Sequence, residues 1–369
     1  MNCSIADLSN FRSKTLQQTH LGKICGSRQR FRNRYEILKI LGRGGFGVTF
    51  LARDVLLPGQ PLCVIKQLCP KVSDQEALQR ARKRFEQEAA TLSRLGNHAQ
   101  IPLLLDYFEE EGEFYLIQEY IRGNTLAREI RRSGLFSEEE AKKFLLEILP
   151  LVQYVHDNRV IHRDIKPTNI IRCQDDGRLV LIDFGAVKEN IIQCENPISR
   201  PSTTQFVGTV GFAPPEQLAS RPVYSSDLYA LGVTCLYLLS GKSPLEFDYD
   251  FVTGEVCWQE HVQVSDHFSS ILGKLLKVAP NERCSSADKV LRQLKLEPHI
   301  NELSTCLNVQ PRPNPARSSR SESSIKAADY VPRLAREVAA IQDWRARLKA
   351  RRMRNECLDQ NLLLSSSAD

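Results

Sequence analysis

The hydrophobic pattern of this chain changes near residue 122, and that change restricts the fold more than any other feature of the sequence. Before it, apolar residues form short β-rich runs at 35–41, 48–53, 62–68, 103–108 and 114–120. After it, the apolar spacing is mainly helical, at 126–132, 137–158, 225–239, 264–276 and 286–294. A sheet-rich part followed by a helix-rich part predicts an α+β fold of two lobes, and the cleft between lobes commonly binds a ligand.

One helix is predicted within the strand-rich part, at residues 75–95. Its apolar side chains recur at spacings of seven, four and three residues, opposite a charged face: Leu78, Phe85, Ala89 and Leu92. This pattern indicates an amphipathic helix packed against a small sheet. In the helix-rich part, Ser137 and Glu140 have the spacing of a capping box, which places the start of the 137–158 helix.

The positive charge lies at the two ends of the chain. The formal net charge is +6, yet residues 1–34 hold seven Lys or Arg against one acid, and residues 333–354 hold eight against two. The centre is therefore acidic overall. Residues 1–34 lack periodicity and are predicted to form a flexible leader, while residues 298–330, which include a Pro-, Arg- and Ser-rich run, are predicted to be a linker.

The cysteine pattern indicates a reducing compartment. Eleven cysteines, an odd number, are scattered singly without a CxxC pair, which argues against a disulfide framework and a tetrahedral zinc site. The sequence contains no stretch of about 20 apolar residues and no signal-peptide pattern. These features predict a cytoplasmic protein.

The glycine-rich segment 42–47, Gly-Arg-Gly-Gly-Phe-Gly, fits the pattern GxGxxG, which by itself also fits a glycine-rich hairpin turn. The strand-like residues 48–51 disfavour a Rossmann site, and the missing Gly-Lys-Ser/Thr sequence excludes a Walker loop. A β-hairpin that covers phosphates remains. Lys66, at the end of a β-rich run, could then bind phosphate oxygens, although a lysine at a strand end is more often only solvated.

Two further motifs make the pattern specific. Residues 162–169 read His-Arg-Asp-Ile-Lys-Pro-Thr-Asn, and residues 183–185 read Asp-Phe-Gly. They resemble the catalytic loop and the metal-binding motif of the eukaryotic-type (Hanks-type) protein kinases. The family's later motifs follow in the same order, at 208–216, at 227–232 and at Arg283. The motifs are most similar to those of bacterial members of the family.

The resemblance implies a two-lobe protein kinase fold over residues 35–297, with a small β-rich N-lobe that contains one helix and a larger helical C-lobe. It implies transfer of the γ-phosphoryl group of ATP to hydroxyl groups of protein substrates, with Mg²⁺ as the metal. Lys166, two residues after Asp164, and Thr209 are typical of serine/threonine kinases. Autophosphorylation and a signalling role are expected with this activity.

The resemblance also assigns roles to individual residues. Those expected to be catalytic are Asp164, which accepts the proton of the substrate hydroxyl, Lys166, beside the transferring phosphoryl group, and Lys66. The nucleotide is expected to contact a larger set: Leu41, Gly42, Gly44, Gly47, Thr49, Val64, Lys66, Glu88, Glu119, Ile121, Asn169 and Asp183. Within this set, Asn169 and Asp183 are expected to hold Mg²⁺. Structural roles are expected for a buried pair of Glu216 with Arg283, and for Asp227 against the catalytic-loop backbone.

Several positions depart from the family pattern. Val64 replaces the usual alanine above the adenine, Thr49 replaces the usual valine after the glycine loop, and Pro214 replaces an alanine. Val64 and Thr49 still offer methyl groups to a purine, so the changes are interpreted as tuning of nucleotide affinity. A polar residue, Gln118, precedes the hinge segment 119–121.

Arg163 directly precedes Asp164, and in the family such an arginine commonly binds a phosphate on the activation segment. Thr203 and Thr204 are the candidate phosphorylation sites. The alternative interpretation is that both threonines only line a mobile loop.

Beyond the linker, residues 331–369 are predicted to contain a basic amphipathic helix. Its apolar residues recur every three or four positions: Val331, Leu334, Val338, Ile341, Trp344 and Leu348. Such a helix can dock on a partner or on the chain's own kinase domain, or contact an anionic membrane peripherally. Nucleic-acid binding is the least favoured alternative.

Two other functions compete with an active protein kinase. A pseudokinase would use the same fold as a binding scaffold, but Lys66, Asp164, Asn169 and Asp183 are all present. A small-molecule phosphotransferase of related fold shares an aspartate and asparagine loop. The glycine lid and the 208–216 segment favour a protein substrate over a small molecule.

Overall fold

The computed structural model of the chain describes residues 19–43, 47–68, 75–185, 188–189 and 208–296. These residues form a sheet-rich N-lobe and a helix-rich C-lobe, which confirms the predicted α+β two-lobe fold. Several predictions fall outside the described residues: those on Gly44, Thr203, Thr204, the linker 298–330 and the C-terminal segment 331–369.

The N-lobe is built on an antiparallel sheet of six strands in the order β1-β2-β3-β4-β6-β5. Helix α1 (His20–Ile24) precedes the strands β1 (Arg30–Phe31), β2 (Tyr35–Arg43), β3 (Gly47–Asp54) and β4 (Leu62–Leu68). Helix α2 (Gln75–Leu95) then leads to β5 (Leu104–Glu110) and β6 (Glu113–Glu119). Phe85, Ala89 and Leu92 are buried on α2, which packs against β4, β5 and β6 as an amphipathic helix.

Residues 19–34 fold onto the face of the sheet that does not contact α2. The hydroxyl of Thr19 caps α1 by accepting a hydrogen bond from the Gly22 N–H at 2.9 Å. The buried side chains of this segment join a cluster that is separate from the α2 cluster: Leu21, Ile24 and Phe31 with Ile37, Phe50 and Tyr115. The second part of the predicted flexible leader 1–34 is therefore folded, because it covers an apolar face that water would otherwise contact.

The C-lobe contains six helices within the described ranges. They are α3 (Leu126–Ser133), α4 (Glu138–Asp157), α5 (Pro215–Leu218), α6 (Tyr224–Ser240), α7 (Asp266–Leu275) and α8 (Ala287–Leu296), with a 3₁₀ turn at Pro244–Glu246. The predicted capping box starts α4, since Ser137 and Glu140 each bond the other's backbone N–H. Helix α6 is buried along most of its length and packs against α4 and α7. No helix of the described ranges is both long and apolar enough to cross a membrane.

Short strands flank the two motif segments, 162–169 and 183–185, in the C-lobe. They are β7 (Gly123–Thr125), β8 (Val160–Ile161), β9 (Ile170–Cys173), β10 (Leu179–Leu181) and β11 (Lys188–Glu189), with a distant pair β12 (Asp248–Tyr249) and β13 (Val256–Cys257). Strand β9 pairs with β10 and β7, and β8 pairs with β11. The segment 162–169 therefore lies between β8 and β9, and the segment 183–185 follows β10, so the two motifs leave neighbouring strands side by side.

Candidate active site

The first cluster of the site joins the N-lobe to the loop after β10. Lys66 Nζ on β4 donates to Glu88 Oε1 on α2 at 2.5 Å and to Asp183 Oδ1 at 3.1 Å. Burial disfavours the Lys66 ammonium, but the charges of Asp183 and Glu88 outweigh burial and raise the pKa of Lys66. A permanently charged ammonium is thus fixed between two carboxylates from different lobes.

The pKa values of the two carboxylates, Glu88 and Asp183, shift in opposite directions. Burial raises the pKa of Glu88 even though Lys66 favours its ionised form. The Lys66 ammonium lowers the pKa of Asp183 and outweighs the opposing effect of that residue's partial burial. Asp183 therefore stays ionised to lower pH than Glu88 does.

Asp164 is the centre of a second cluster, in the loop between β8 and β9. Its Oδ2 accepts hydrogen bonds from Lys166 Nζ at 2.7 Å and Asn169 Nδ2 at 2.9 Å. Its Oδ1 accepts a bond from Thr209 Oγ1 at 2.7 Å, and Lys166 Nζ also donates to Thr209 Oγ1 at 2.6 Å. Both oxygens of Asp164 are fixed, and an ammonium lies directly beside them.

The backbone before Asp164 is held by a buried carboxylate of α6. Asp227 Oδ1 accepts from the Arg163 N–H at 2.8 Å, and its Oδ2 accepts from the His162 N–H and lies against His156 Nε2, both at 2.9 Å. Burial opposes the ionisation of Asp227, but these hydrogen bonds and the nearby histidines outweigh burial and lower its pKa. The carboxylate that the resemblance places against the catalytic loop does contact its backbone.

Two residues of the site have left-handed backbones. Arg163 has φ of 68° and Asp183 has φ of 70°, a region that residues with a Cβ rarely adopt. Such conformations persist only where surrounding contacts fix them, and they concentrate at functional sites. Both residues lie next to or within the two motifs that carry the predicted chemistry.

Phe184 anchors the segment 183–185 in the core, and Gly185 leaves room for Glu88 beside it. Phe184 is fully buried and meets His162 edge-on, with ring centroids 4.8 Å apart. A Cβ at Gly185 would lie 3.0 Å from Glu88 Oε2, so a side chain there would press on the Lys66–Glu88 pair. Burial lowers the pKa of His162, which makes this ring neutral at pH 7.

Glu216 and Arg283 form the buried pair that the resemblance implies. Arg283 Nη1 and Nη2 lie 2.6 and 3.0 Å from the two carboxylate oxygens of Glu216. The same guanidinium donates to the carbonyls of Lys277 and Val278, after α7. The pair therefore fixes the start of α5 against the segment that follows α7.

The residues expected to contact the nucleotide line the sheet that faces the cleft. Thr49 on β3 is paired with Gly42 on β2 and with Lys66 on β4. Val64 lies two positions before Lys66 on the same strand and is buried. The sheet thus places one methyl-bearing side chain from each of β3 and β4 close to the ammonium.

The edges of this surface come from β2 and from the chain after β6. Leu41 is 42% exposed, whereas Ile121 is buried and Glu119 ends β6. Gly47 allows β3 and β4 to approach, because a Cβ at this position would lie 2.1 Å from the carbonyl oxygen of Gln67. The predicted contact residues that the structure describes therefore lie on β2, β3 and β4, at or just after the end of β6, or in the two clusters described above.

The Arg163 side chain lies close to a second cation, Arg84 of α2. Burial and the charge of Arg84 lower the pKa of Arg163 to about 10. Arg163 Nε is buried and has no hydrogen-bond partner among the described residues. Two neighbouring cations, one of them incompletely bonded, form a place where an anion would be stabilised.

A comparison with known proteins decides the family. A model of the protein kinase domain matches residues 35–294, the part of the chain that holds all the site residues described above. The chain belongs to the protein kinase family. Over 275 residues the chain is 52% identical to serine/threonine-protein kinase B of Synechocystis sp., covering 74% of this chain and 48% of that protein.

Other relatives of the chain support its placement in the protein kinase family. It is 43% identical over 266 residues to serine/threonine-protein kinase PknA of Nostoc sp., covering 72% of this chain and 47% of that protein. It is 31% identical over 283 residues to mouse Aurora kinase C, covering 74% and 95%. The chain spans about half the length of the first two relatives. These matches confirm the predicted resemblance to bacterial Hanks-type serine/threonine kinases.

Three contacts at the kinase site were missed by the reasoning from sequence. His156 supports Asp227, Arg84 lies near Arg163, and Gln217 contacts the carbonyl of Arg163. His156 and Arg84 belong to long helices where a polar residue is ordinary. Gln217 directly follows the 208–216 motif, and its burial at 2% exposure is visible only in the folded chain.

Proposed function

We propose that this chain is an active protein serine/threonine kinase that uses ATP and Mg²⁺. The observation that carries the proposal is the environment of Asp164, whose carboxylate is fixed by Lys166, Asn169 and Thr209. Phosphoryl transfer needs alignment of the acceptor hydroxyl and neutralisation of phosphate charge more than covalent chemistry from the protein. Asp164 would orient the hydroxyl and accept its proton, and Lys166 would face the transferring group.

The nucleotide would bind in the cleft, with its phosphates at Lys66. Glu88 holds that ammonium at 2.5 Å, so the cation is in place before the phosphates arrive. The glycines of the β2–β3 hairpin, Gly42 and Gly47, would let backbone N–H groups approach the phosphates. Apolar contacts to the adenine would come from Leu41, Thr49, Val64 and Ile121, and backbone contacts from the segment 119–121.

The oxygen donors below the cleft suit Mg²⁺, a hard cation that prefers oxygen ligands. The Asp183 side chain is 48% exposed, and Asn169 bonds Asp164 through its amide nitrogen, so its amide oxygen is the atom that would bind the metal. No group of three His, Cys, Asp or Glu in the described ranges could hold a metal by itself. Phosphate oxygens would therefore complete the ligand set. Mg²⁺, when bound, supplies neutralisation of the phosphate charge.

The Lys66–Glu88 pair favours catalysis over a scaffold role. A pseudokinase does not need its lysine bonded to α2, and a kinase at rest commonly has this pair broken. Here the pair is formed and Asp183 joins it. The chain therefore has the arrangement expected of a catalytic conformation.

We also propose that the kinase is regulated by phosphate on its activation segment. Thr203 and Thr204 are the candidate sites, and Arg163 together with Arg84 is the candidate receptor. A phosphate between these two guanidinium groups would relieve their mutual repulsion and form charge-assisted hydrogen bonds.

The basic C-terminal segment, residues 331–369, is proposed as a contact for a partner protein or an anionic membrane. Vesicles of anionic phospholipid at low salt should sediment the full chain if the membrane contact exists. Deletion of residues 325–369 should abolish that binding, whereas binding that survives the deletion would exclude the segment as the contact.

The proposed substrate class is tested by offering different acceptors. The purified chain is incubated with γ-labelled ATP and Mg²⁺ and either a generic basic protein, an aminoglycoside or choline. We expect label on serine and threonine of the protein acceptor, and of the chain itself, and none on the small molecules. Label on a small molecule alone would make the chain a small-molecule phosphotransferase.

A further inference from the structure

The peptide unit between Arg163 and Asp164 is held in a conformation that the backbone would not adopt alone. Arg163 has φ of 68°, in the left-handed region, and is not glycine. Rotation of this peptide unit would move the Asp164 side chain away from Lys166 and Thr209. Contacts on both sides of Arg163 therefore decide where the Asp164 carboxylate points.

The amide side of Arg163 is held by Asp227. Asp227 Oδ1 accepts the Arg163 N–H at 2.8 Å, and the carboxylate is fully buried on α6. This contact is part of the kinase pattern predicted from sequence. It fixes one end of the residue and leaves the carbonyl, which belongs to the Arg163–Asp164 peptide, to be fixed by another group.

That other group is the side chain of Gln217. Gln217 Nε2 donates to the Arg163 carbonyl oxygen at 2.5 Å, and the residue is 2% exposed. Because a carbonyl only accepts hydrogen bonds, the amide nitrogen must be the atom that faces it. Gln217 lies within α5, one position after Glu216, which is itself fixed by Arg283.

We propose that Gln217 is a positioning residue for phosphoryl transfer, which holds the Arg163–Asp164 peptide so that Asp164 stays oriented toward the acceptor hydroxyl. The Glu216–Arg283 pair anchors α5, α5 presents the Gln217 amide, and the amide fixes the carbonyl before Asp164. The segment that carries Thr209 and the loop that carries Asp164 are thereby tied at two points. The inference rests on the proposed kinase function.

The test replaces the donor without changing the side chain's length. Gln217→Met lacks the amide, and Gln153→Met is the control in the same lobe, because Gln153 accepts a hydrogen bond from the Asp288 N–H of α8 and donates one to Asp157 within α4. Three quantities are measured on the full chain: kcat and KM for ATP, the melting temperature, and hydrogen exchange of the amides in 160–169.

In Gln217→Met we expect kcat to fall by about 10- to 100-fold with KM for ATP within about threefold of wild type. Exchange at the Arg163 and Asp164 amides should be faster than in wild type. Gln153→Met should change the melting temperature without changing kcat or exchange in 160–169. A Gln217→Met protein with wild-type kcat and exchange would overturn the inference, as would losses explained entirely by a lower melting temperature.

If the chain were not a kinase, the same measurements would give a different pattern of results. If the wild-type chain transfers no phosphoryl group, exchange still tests the contact: faster exchange in Gln217→Met supports the positioning of the peptide, and unchanged exchange overturns it. If wild type is active and Gln217→Met is unchanged in every readout, the kinase function stands and the positioning role fails.

Discussion

Neighbouring charges and burial together set the pKa values of three groups in the cleft: Lys66, Glu88 and Asp183. Lys66 is kept charged by Asp183 and Glu88, Asp183 is kept ionised by Lys66, and burial works against Glu88. Of the three, Glu88 is therefore the group whose charge is lost first as pH falls. Because Glu88 ties α2 to the site, that loss has a consequence for catalysis as well as for charge.

The acid side of the pH–activity profile should therefore report Glu88. Its ordinary value is 4.5 and burial raises its pKa, so kcat/KM should begin to fall above pH 4.5 while Asp183 is still ionised. Protonated Glu88 no longer holds Lys66 as a charge pair. Glu88→Gln should be about 10- to 100-fold less active, since a charge-assisted hydrogen bond contributes about 1.5–3 kcal/mol, and should lack this acid step.

The pH measurement compares kcat/KM of the two proteins over the range in which circular dichroism shows both folded. The ATP phosphates titrate equally for both, so a difference between the profiles belongs to residue 88. An identical acid step in Glu88→Gln would show that another group is responsible.

Arg84 gives a second prediction at the scale of single residues. If Arg84 and Arg163 together receive an activation-segment phosphate, Arg84→Ala should reduce the activity of the autophosphorylated protein by about tenfold, the effect of roughly 1.4 kcal/mol. The phosphatase-treated protein should be affected much less, because without the phosphate the charge of Arg84 acts on Arg163 as a repulsion. The measurement is kcat/KM of each form before and after phosphatase.

Lys83 provides the control for Arg84, since it is an exposed cation next to it on α2. Lys83→Ala should leave both the phosphorylated and dephosphorylated activities unchanged. Equal losses for Arg84→Ala in the two forms would contradict a role in phosphate binding.

Among the elements, β1 forms one edge strand of the N-lobe sheet and α1 packs on a face of that sheet. β1 pairs with β2, and Phe31 packs on Tyr115 with ring centroids 4.7 Å apart and on Phe108 at 6.0 Å. Arg32 lies over the Phe108 ring at 4.0 Å. The segment before residue 35 thus contributes to the stability of the kinase domain.

Phe31→Ala should accordingly destabilise the protein by about 3 kcal/mol, since truncation of a buried phenylalanine loses its transfer free energy and leaves a cavity. Arg30, its exposed neighbour on the same strand, is the control, and Arg30→Ala should change the free energy of unfolding by less than about 0.5 kcal/mol. Urea unfolding measures both. Equal effects of the two substitutions would contradict the packing of β1.

At the scale of the whole molecule, the site is assembled from residues that are far apart in the sequence, both between the lobes and within the C-lobe. Lys66 and Asp183 are separated by 117 positions, and Thr209 and Asp164 by 45. Such contacts cannot follow from local periodicity. The resemblance to a known family assigned roles to Lys66, Asp164 and Asp183, but these two contacts were not predicted from it. The long helices and strands, in contrast, followed from apolar spacing, as for Gln75–Leu95 and Glu138–Asp157.

What the sequence left unpredicted has physical reasons. The segment 19–34 contains a five-residue helix and a two-residue strand, too short for periodicity to reveal, and it is ordered by the sheet beneath it. Gln217 and His156 are polar residues whose partners are a backbone carbonyl and a buried carboxylate, brought close by folding. Their roles depend on tertiary position, which their neighbours in the sequence do not encode.

The most direct test of the account compares wild type with Asp164→Asn, which preserves the shape of the side chain and removes its charge. Both are assayed for transfer of labelled γ-phosphate to serine and threonine, and for Mg·ATP affinity. We predict that Asp164→Asn retains nucleotide affinity within about threefold and loses at least about 100-fold in transfer, the contribution of a positioned general base. Equal transfer by both proteins, or no transfer by wild type that binds Mg·ATP, would contradict an active kinase built around Asp164.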